Sequence, residues 1–377
     1  MKVTKRLVAL LICCIMVFSM MTVSMAGAAE SDIPHHKIGI LGFRDTGGFT
    51  DYTMNFLNLL GPAINTEFMF VGGDTRDETI NVGKVQDMIT AGCDGIIMLY
   101  DLGVVGIADV CAAAGVYLGG ARAAMESALP MLVNNPFFVG TVQEGPSDDS
   151  LVARKIADRI VAEGVKEAGL ALFPPFAYPE QTRYAALIRE MLSEEHPEIT
   201  LVDDEVLMFQ NLPETYLAQH PDIELIVSIA DDYVYPTLLS AGRKDIKVIN
   251  KGFLPSHLDS MNEGVIIMDM TTAVESILYP LILMVDKMNG YSFDDAPAQP
   301  ETVGSNLIYI ENPEDCKYFI ENTLMGEEGM LTEIDESKCL LSVDEMKSYF
   351  KTFNPDATYQ GLCDLLAGMT MEAYKAR

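Results

Sequence analysis

Phe43, Arg44 and Asp45 follow a short apolar run, Ile38–Gly42, and precede Phe49–Leu60, whose apolar residues fall at helical spacing. Ring, guanidinium and carboxylate together can stack on and hydrogen-bond a small polar molecule. A nucleotide site is a poor fit. Gly42, Gly47 and Gly48 lack the G-x-G-x-x-G spacing, and the Gly-Lys-Ser/Thr of a P-loop is missing. Taken alone, the turn reads either as a solvated loop with a local ion pair or as a pocket wall. Three similar clusters follow other strand-like runs. Gly119-Gly120-Ala121-Arg122 presents Arg122, PPFAYPEQTR (174–183) carries Phe176, Tyr178 and Arg183, and Ala230-Asp231-Asp232-Tyr233 brings two carboxylates. In open parallel sheets, ligands bind at the carboxyl ends of strands, which is where these clusters fall. If two such edges face each other, Arg, Asp and aromatic groups line a cleft.

Catalytic patterns are thin. His35, His36, His196, His220 and His257 have no Ser, Cys or acidic partner at a recognisable spacing, and neither G-x-S-x-G nor H-E-x-x-H occurs. A triad can assemble from distant residues, so a secreted α/β hydrolase stays open as a lesser alternative. No C-x-x-C or Cys/His cluster suggests a metal, and no cofactor is expected.

The elements that must hold these groups alternate from Lys37 onward. Strand-like runs (Ile38–Gly42, Glu67–Val71, Gly95–Tyr100, Val116–Gly119) are separated by helical patterns (Phe49–Leu60, Glu78–Ala91, Val104–Ala114). Thr75-Arg76-Asp77-Glu78 has the capping-box pattern, and Gly92 and Gly115 stand where helices end. The alternation restarts after Phe137–Val142 and runs through Ala168–Phe173, Thr200–Val202, Leu225–Ile229, Ile246–Ile249 and Val265–Met268 to a long helix, Thr272–Lys287, and a last strand, Leu307–Ile310. Repeated β-α-β units with strands apolar nearly throughout predict parallel sheets covered on both faces. After Met325 the composition turns to Glu, Asp, Met and Lys. Ser342-Val343-Asp344-Glu345 caps one more helix there, so 325–377 reads as a helical extension packed on the body.

Lys2, Lys5 and Arg6, the apolar run Leu7–Val23 and the small residues Ala26-Gly27-Ala28-Ala29 describe a secretory signal peptide, with cleavage expected near Ala28, rather than a retained anchor. Its loss takes the net charge from −30 to −33, since 22 basic residues then face 55 acidic ones. A chain so acidic repels phosphate backbones, and nucleic acid is excluded as a partner. The remaining chain, roughly 350 residues, exceeds the size at which single cores divide, and two domains are expected. Cys93 and Cys111 sit in apolar surroundings and read as core. Cys316, Cys339 and Cys363 leave room for one disulfide but make no scaffold.

In order and spacing, HHKIGILGF, AGCDGIIML, AAAGVYLGGAR, FFVGTVQEG, SIADDYVYPTLLSAG and GVIIMDMTTAVESILYPLILMVDKMNG resemble the segments of the type I periplasmic binding proteins, the sugar-type solute receptors of ABC importers. The resemblance runs from about Lys37 to Ile320. It implies two Rossmann-like three-layer α/β lobes with parallel sheets, joined by a three-strand hinge near Thr141–Gln143, Met268–Thr271 and Val303–Leu307. One lobe would hold 35–140 with 272–300, the other 145–268 with 307–320. A small polar ligand would be captured between them by hinge closure and passed to a membrane ABC permease. A sensing subunit that presents its closed form to a membrane signalling partner uses the same cleft and stays open. The resemblance carries Phe43, Arg44, Arg122, Arg183, Asp231, Asp232 and Asp269 into the pocket, beside Asp45 and Tyr178 from their own chemistry. Departures weaken a strict sugar assignment. Ala121 stands where an acidic residue is usual, Asp231 replaces Asn, Val248–Phe253 lacks the usual aspartate, and the chain has no Trp. A sugar, a sugar derivative, a nucleoside or another small polar metabolite remains open.

Overall fold

Thirteen strands order the described part of the chain. The computed structural model describes residues 33–43, 45, 47–73, 77–175, 178–208, 211–229 and 234–377. The expected signal segment 1–28, and Arg44, Asp231 and Asp232, lie outside the described residues. The first sheet is built from β1 (His36–Gly42), β2 (Thr66–Gly72), β3 (Gly95–Met98), β4 (Tyr117–Ala121), β5 (Phe138–Gln143) and β12 (Thr302–Gly304). Its order is β12-β5-β4-β3-β1-β2, with every neighbouring pair parallel. The second sheet takes β6 (Glu167–Leu172), β7 (Thr200–Leu201), β9 (Leu225–Ser228), β10 (Lys247–Lys251), β11 (Ile266–Thr271) and β13 (Ile308–Ile310), in the order β13-β11-β10-β9-β6-β7, with β8 (Glu205–Val206) paired to β6.

The strands are apolar throughout because helices cover both faces. GIIM of β3 and LIVS of β9 are buried at every position. The Phe49–Leu60 helix buries Phe56, Leu57 and Leu60 in a core shared with the Leu278–Met288 helix. A second core, around Ile156, Leu170, Ile188, Val227 and Met268, fills the other lobe. Helix ends follow local chemistry. Asp77 accepts from the amides of Thr79 and Ile80 to start Glu78–Thr90, and Gly115, at φ 71°, closes Val104–Ala114 in the left-handed region that a side chain disfavours. Thr75 and Arg76 of the expected capping box lie outside the described residues.

The structure departs from the sequence reading in three places. β13 runs antiparallel to β11, so the second sheet is not wholly parallel. It follows β12 after only three residues, Ser305–Leu307, too few for a crossover helix. The expected helix Thr272–Lys287 splits into a 3-10 turn, Val274–Ile277, and an α-helix, Leu278–Met288. Pro280, which has no N–H, sits in the first turn of that helix, where none is needed. The extension contains three short helices, Val343–Lys347, Tyr359–Ala367 and Met371–Lys375. Ser342 and Glu345 form the expected capping box, each accepting from the other's amide. His35–Arg377 forms one unit by its internal contacts, and no helix among the described residues is long and apolar enough to cross a membrane.

Candidate functional site

Between the carboxyl edges of the two sheets lies a cleft of about 190 Å³. Phe43, Phe49, Thr50, Tyr52, Leu99 and Arg122 wall it from the first lobe. Tyr178, Phe253 and Leu254 wall it from the second, and Thr271, at the end of β11, closes it. Met325 of the C-terminal extension adds one more side. Five aromatic rings thus line the cleft beside the Thr50, Thr271 and Arg122 side chains. Gly47 and Gly48, with φ of 90° and 52°, bend the first turn so that Phe49 enters its helix at the cleft wall.

Arg122 is held forward by strained backbone. It and Met125 have φ of 61° and 52°, uncommon for residues with a side chain. The loop between them is pinned on all sides. Asp101 Oδ2 accepts the Met125 amide at 3.0 Å, the Thr302 hydroxyl donates to Ala124 O at 2.9 Å, and the Thr141 hydroxyl donates to Ala123 O. The guanidinium then lies 3.7 Å over the Phe49 ring and donates to Glu144 Oε1.

Glu144, just beyond β5, ties the lobes together. Its other oxygen takes the Lys251 ammonium at 2.5 Å, and Glu180 stands 3.7 Å from the same ammonium. All three side chains are buried. Burial alone would raise the Glu144 carboxyl, but Arg122 and Lys251 outweigh it and hold it at about 2. Burial raises Glu180 despite Lys251. Asp101 is pushed up to about 8 by burial and then by the Glu180 charge, and its Oδ1 has no hydrogen-bond partner. At neutral pH Arg122 and Lys251 therefore face the ionised Glu144, and Asp101 is largely protonated.

The structure brings Phe43, Arg122 and Tyr178 together in the wall and sets the other described candidates around it. Arg183, at the start of the Pro179–Glu195 helix, bonds Asp149 of its own lobe and reaches Glu126 of the first lobe at 2.6 Å. Asp45 accepts the Gly72 amide at 3.1 Å, which anchors the first turn to β2. Asp269, within β11, is fully buried, 2.9 Å from His257 Nδ1 and accepting from Asn250 at 3.2 Å. Neither Asp45 nor Asp269 is among the described wall residues. Sequence reasoning passed over Glu144, Glu180, Lys251, Phe49, Tyr52 and Phe253. The signal lay in strings already noted: Glu144 in FFVGTVQEG, and Lys251 with Phe253 in the strand that lacks the usual aspartate.

No family model and no curated protein matches the sequence. Solved structures match in shape. An ABC transporter solute-binding protein from Mycobacterium smegmatis with bound glycerol is 16% identical, with a TM-score of 0.60 over 80% of this chain and 100% of that one. One from Agrobacterium vitis bound with alpha-D-tagatopyranose is 15% identical, with a TM-score of 0.60 over 74% and 95%. A protein described as a LacI transcriptional regulator from Bacteroides fragilis is 13% identical, with a TM-score of 0.59 over 76% and 99%. Identities this low carry shape and not activity. With its two helix-covered sheets and the cleft at their facing edges, the chain has the two-lobed α/β fold of the type I periplasmic binding proteins.

Proposed function

We propose that this protein is a non-catalytic extracytoplasmic receptor that binds a small, uncharged, hydroxyl-rich ligand, a sugar or polyol, between its lobes for an ABC importer. The observation that carries the reading is the cleft itself, whose walls come from the strand ends of both sheets. Its volume suits one small ligand rather than a polymer. Ring faces from Phe43, Tyr178 and Phe253 supply apolar contact, and Thr50, Thr271 and exposed backbone supply hydrogen bonds. Arg122 and Lys251 already share the ionised Glu144, with Glu180 beside the ammonium, so neither cation is left over as a counter-charge for an anionic ligand. The resemblance in shape to receptors holding glycerol and tagatopyranose agrees with this ligand class.

Thermal unfolding against a panel of sugars, polyols and nucleosides tests the reading. A ligand bound only by the folded state stabilises it by about 2.7 kcal/mol at a hundred times its Kd. A rise in Tm with a sugar or polyol supports the assignment. A rise only with nucleosides moves the ligand class, and no rise across the panel removes the receptor reading.

A further inference from the structure

The two lobes are joined by more than the three crossings after β5, after β11 and between β12 and β13. From the Pro313–Asn322 helix, which packs on β13 and the His257–Asn262 helix of the second lobe, the chain passes to the first lobe at Met325, on the cleft wall. There the fully buried Asn55 donates to Gly329 O at 3.0 Å and accepts the Leu331 amide at 2.9 Å. The segment stays on the first lobe, with Asp286 accepting the amides of Lys351 and Thr352 and Asp295 those of Tyr359 and Gln360. It then passes the third crossing, where Asn306 donates to Leu366 O and Ala367 O, both at 3.1 Å. Finally the Met371–Lys375 helix returns to the second lobe. Tyr318 donates to Tyr374 O at 2.7 Å, the Tyr374 ring meets Phe319 edge-on at 5.6 Å, and Lys375 pairs with Asp315 at 2.5 Å. Tyr374 also holds the first lobe, donating its hydroxyl to the buried Glu275 at 2.7 Å.

We propose that residues 325–377 form a strap, leaving the second lobe, wrapping the first and returning, which sets the angle between the lobes and restrains their opening. Three neighbouring crossings alone behave as a hinge that a few backbone torsions can bend. Two further crossings along the Met325 and Tyr374 paths cannot follow that rotation without breaking buried hydrogen bonds, whose loss leaves polar groups unsatisfied. The strap rests on the receptor reading only in giving the cleft a purpose. As a mechanical device it requires no ligand.

The test is small-angle X-ray scattering of the ligand-free protein, compared with a chain ending at Gly368 and with Tyr374→Phe. The expected result is a larger radius of gyration for the truncated chain with its far-UV circular dichroism retained, and a smaller increase for Tyr374→Phe. If truncation unfolds the protein, Tyr374→Phe combined with Lys375→Glu takes its place. A radius equal to wild type in the folded variants overturns the strap. That result leaves the ligand panel untouched, and a failed panel leaves the scattering result standing.

Discussion

Replacing Glu144 by Gln removes one charge from the point where the lobes meet and leaves the buried Lys251 ammonium and the partly exposed Arg122 guanidinium facing a neutral amide. The size of the effect follows from two independent quantities. The carboxyl is held at about 2 against an ordinary 4.5, a difference that corresponds to about 3 kcal/mol. Breaking a buried ion pair by removing one partner costs about 3–5 kcal/mol, because the remaining charge is left uncompensated. With the side chain only 5% exposed, solvent screening does little to reduce this. The sign is fixed by linkage. A carboxylate whose pKa is depressed in the folded state stabilises above its unfolded value and loses that contribution as pH falls from about 4.5 towards 2. Urea unfolding at pH 7 should show Glu144→Gln less stable by about 3–5 kcal/mol, with the gap narrowing as the pH is lowered to about 3. Lys251→Met should lose less, since Arg122 still holds Glu144. A Glu144→Gln variant within about 1 kcal/mol of wild type at pH 7, the range of an exposed pair, would refute the buried-clamp reasoning, as would a gap that ignores pH.

Asp101 should behave in the opposite sense. Its folded value is raised to about 8, so between about pH 4 and 8 the unfolded chain holds fewer protons and wild-type stability falls as pH rises. Asp101→Asn lacks this dependence and should gain on wild type by at most about 4 kcal/mol between pH 5 and pH 8.5 in urea unfolding. An unchanged difference at the two pH values would contradict it. Burial raises all five thiols, but Cys93, Cys111, Cys316 and Cys339 are buried while Cys363 is only half-buried. Of these five, Cys363 should react first with a thiol reagent in the native protein and the other four only after denaturation. Rapid native reaction of several would place those side chains wrongly.

Much of the architecture was legible in the sequence. A parallel sheet covered on both faces needs strands apolar at every position, and GIIM and LIVS announce that directly. The clusters after β1, β4 and β6 could be placed at the sheet edges for the same reason. The direction of β13 could not, because Ile308-Tyr309-Ile310 reads alike in both directions and only its pairing with β11 decides. The clamp was invisible because Arg122, Glu144, Glu180 and Lys251 come from distant segments, with Arg122 in the first lobe and Glu180 and Lys251 in the second. Asp45 and Asp269 show the limit of reading polarity alone. Both are acceptors near the site, but one is satisfied by the Gly72 amide and the other by His257 and Asn250. The extension looked like an appendage because its anchors, Asn55, Glu275 and Asp286, lie far upstream and carry no local mark of their partners.

The cleft as the site of capture is tested most directly by calorimetric titration of the panel's best sugar or polyol into wild type and into Phe253→Ala, which shortens one wall. One ligand per chain, with affinity at least about tenfold weaker in the variant, corresponding to about 1.4 kcal/mol or more, is the predicted result. Equal affinity in both proteins would put the ligand elsewhere and contradict the account.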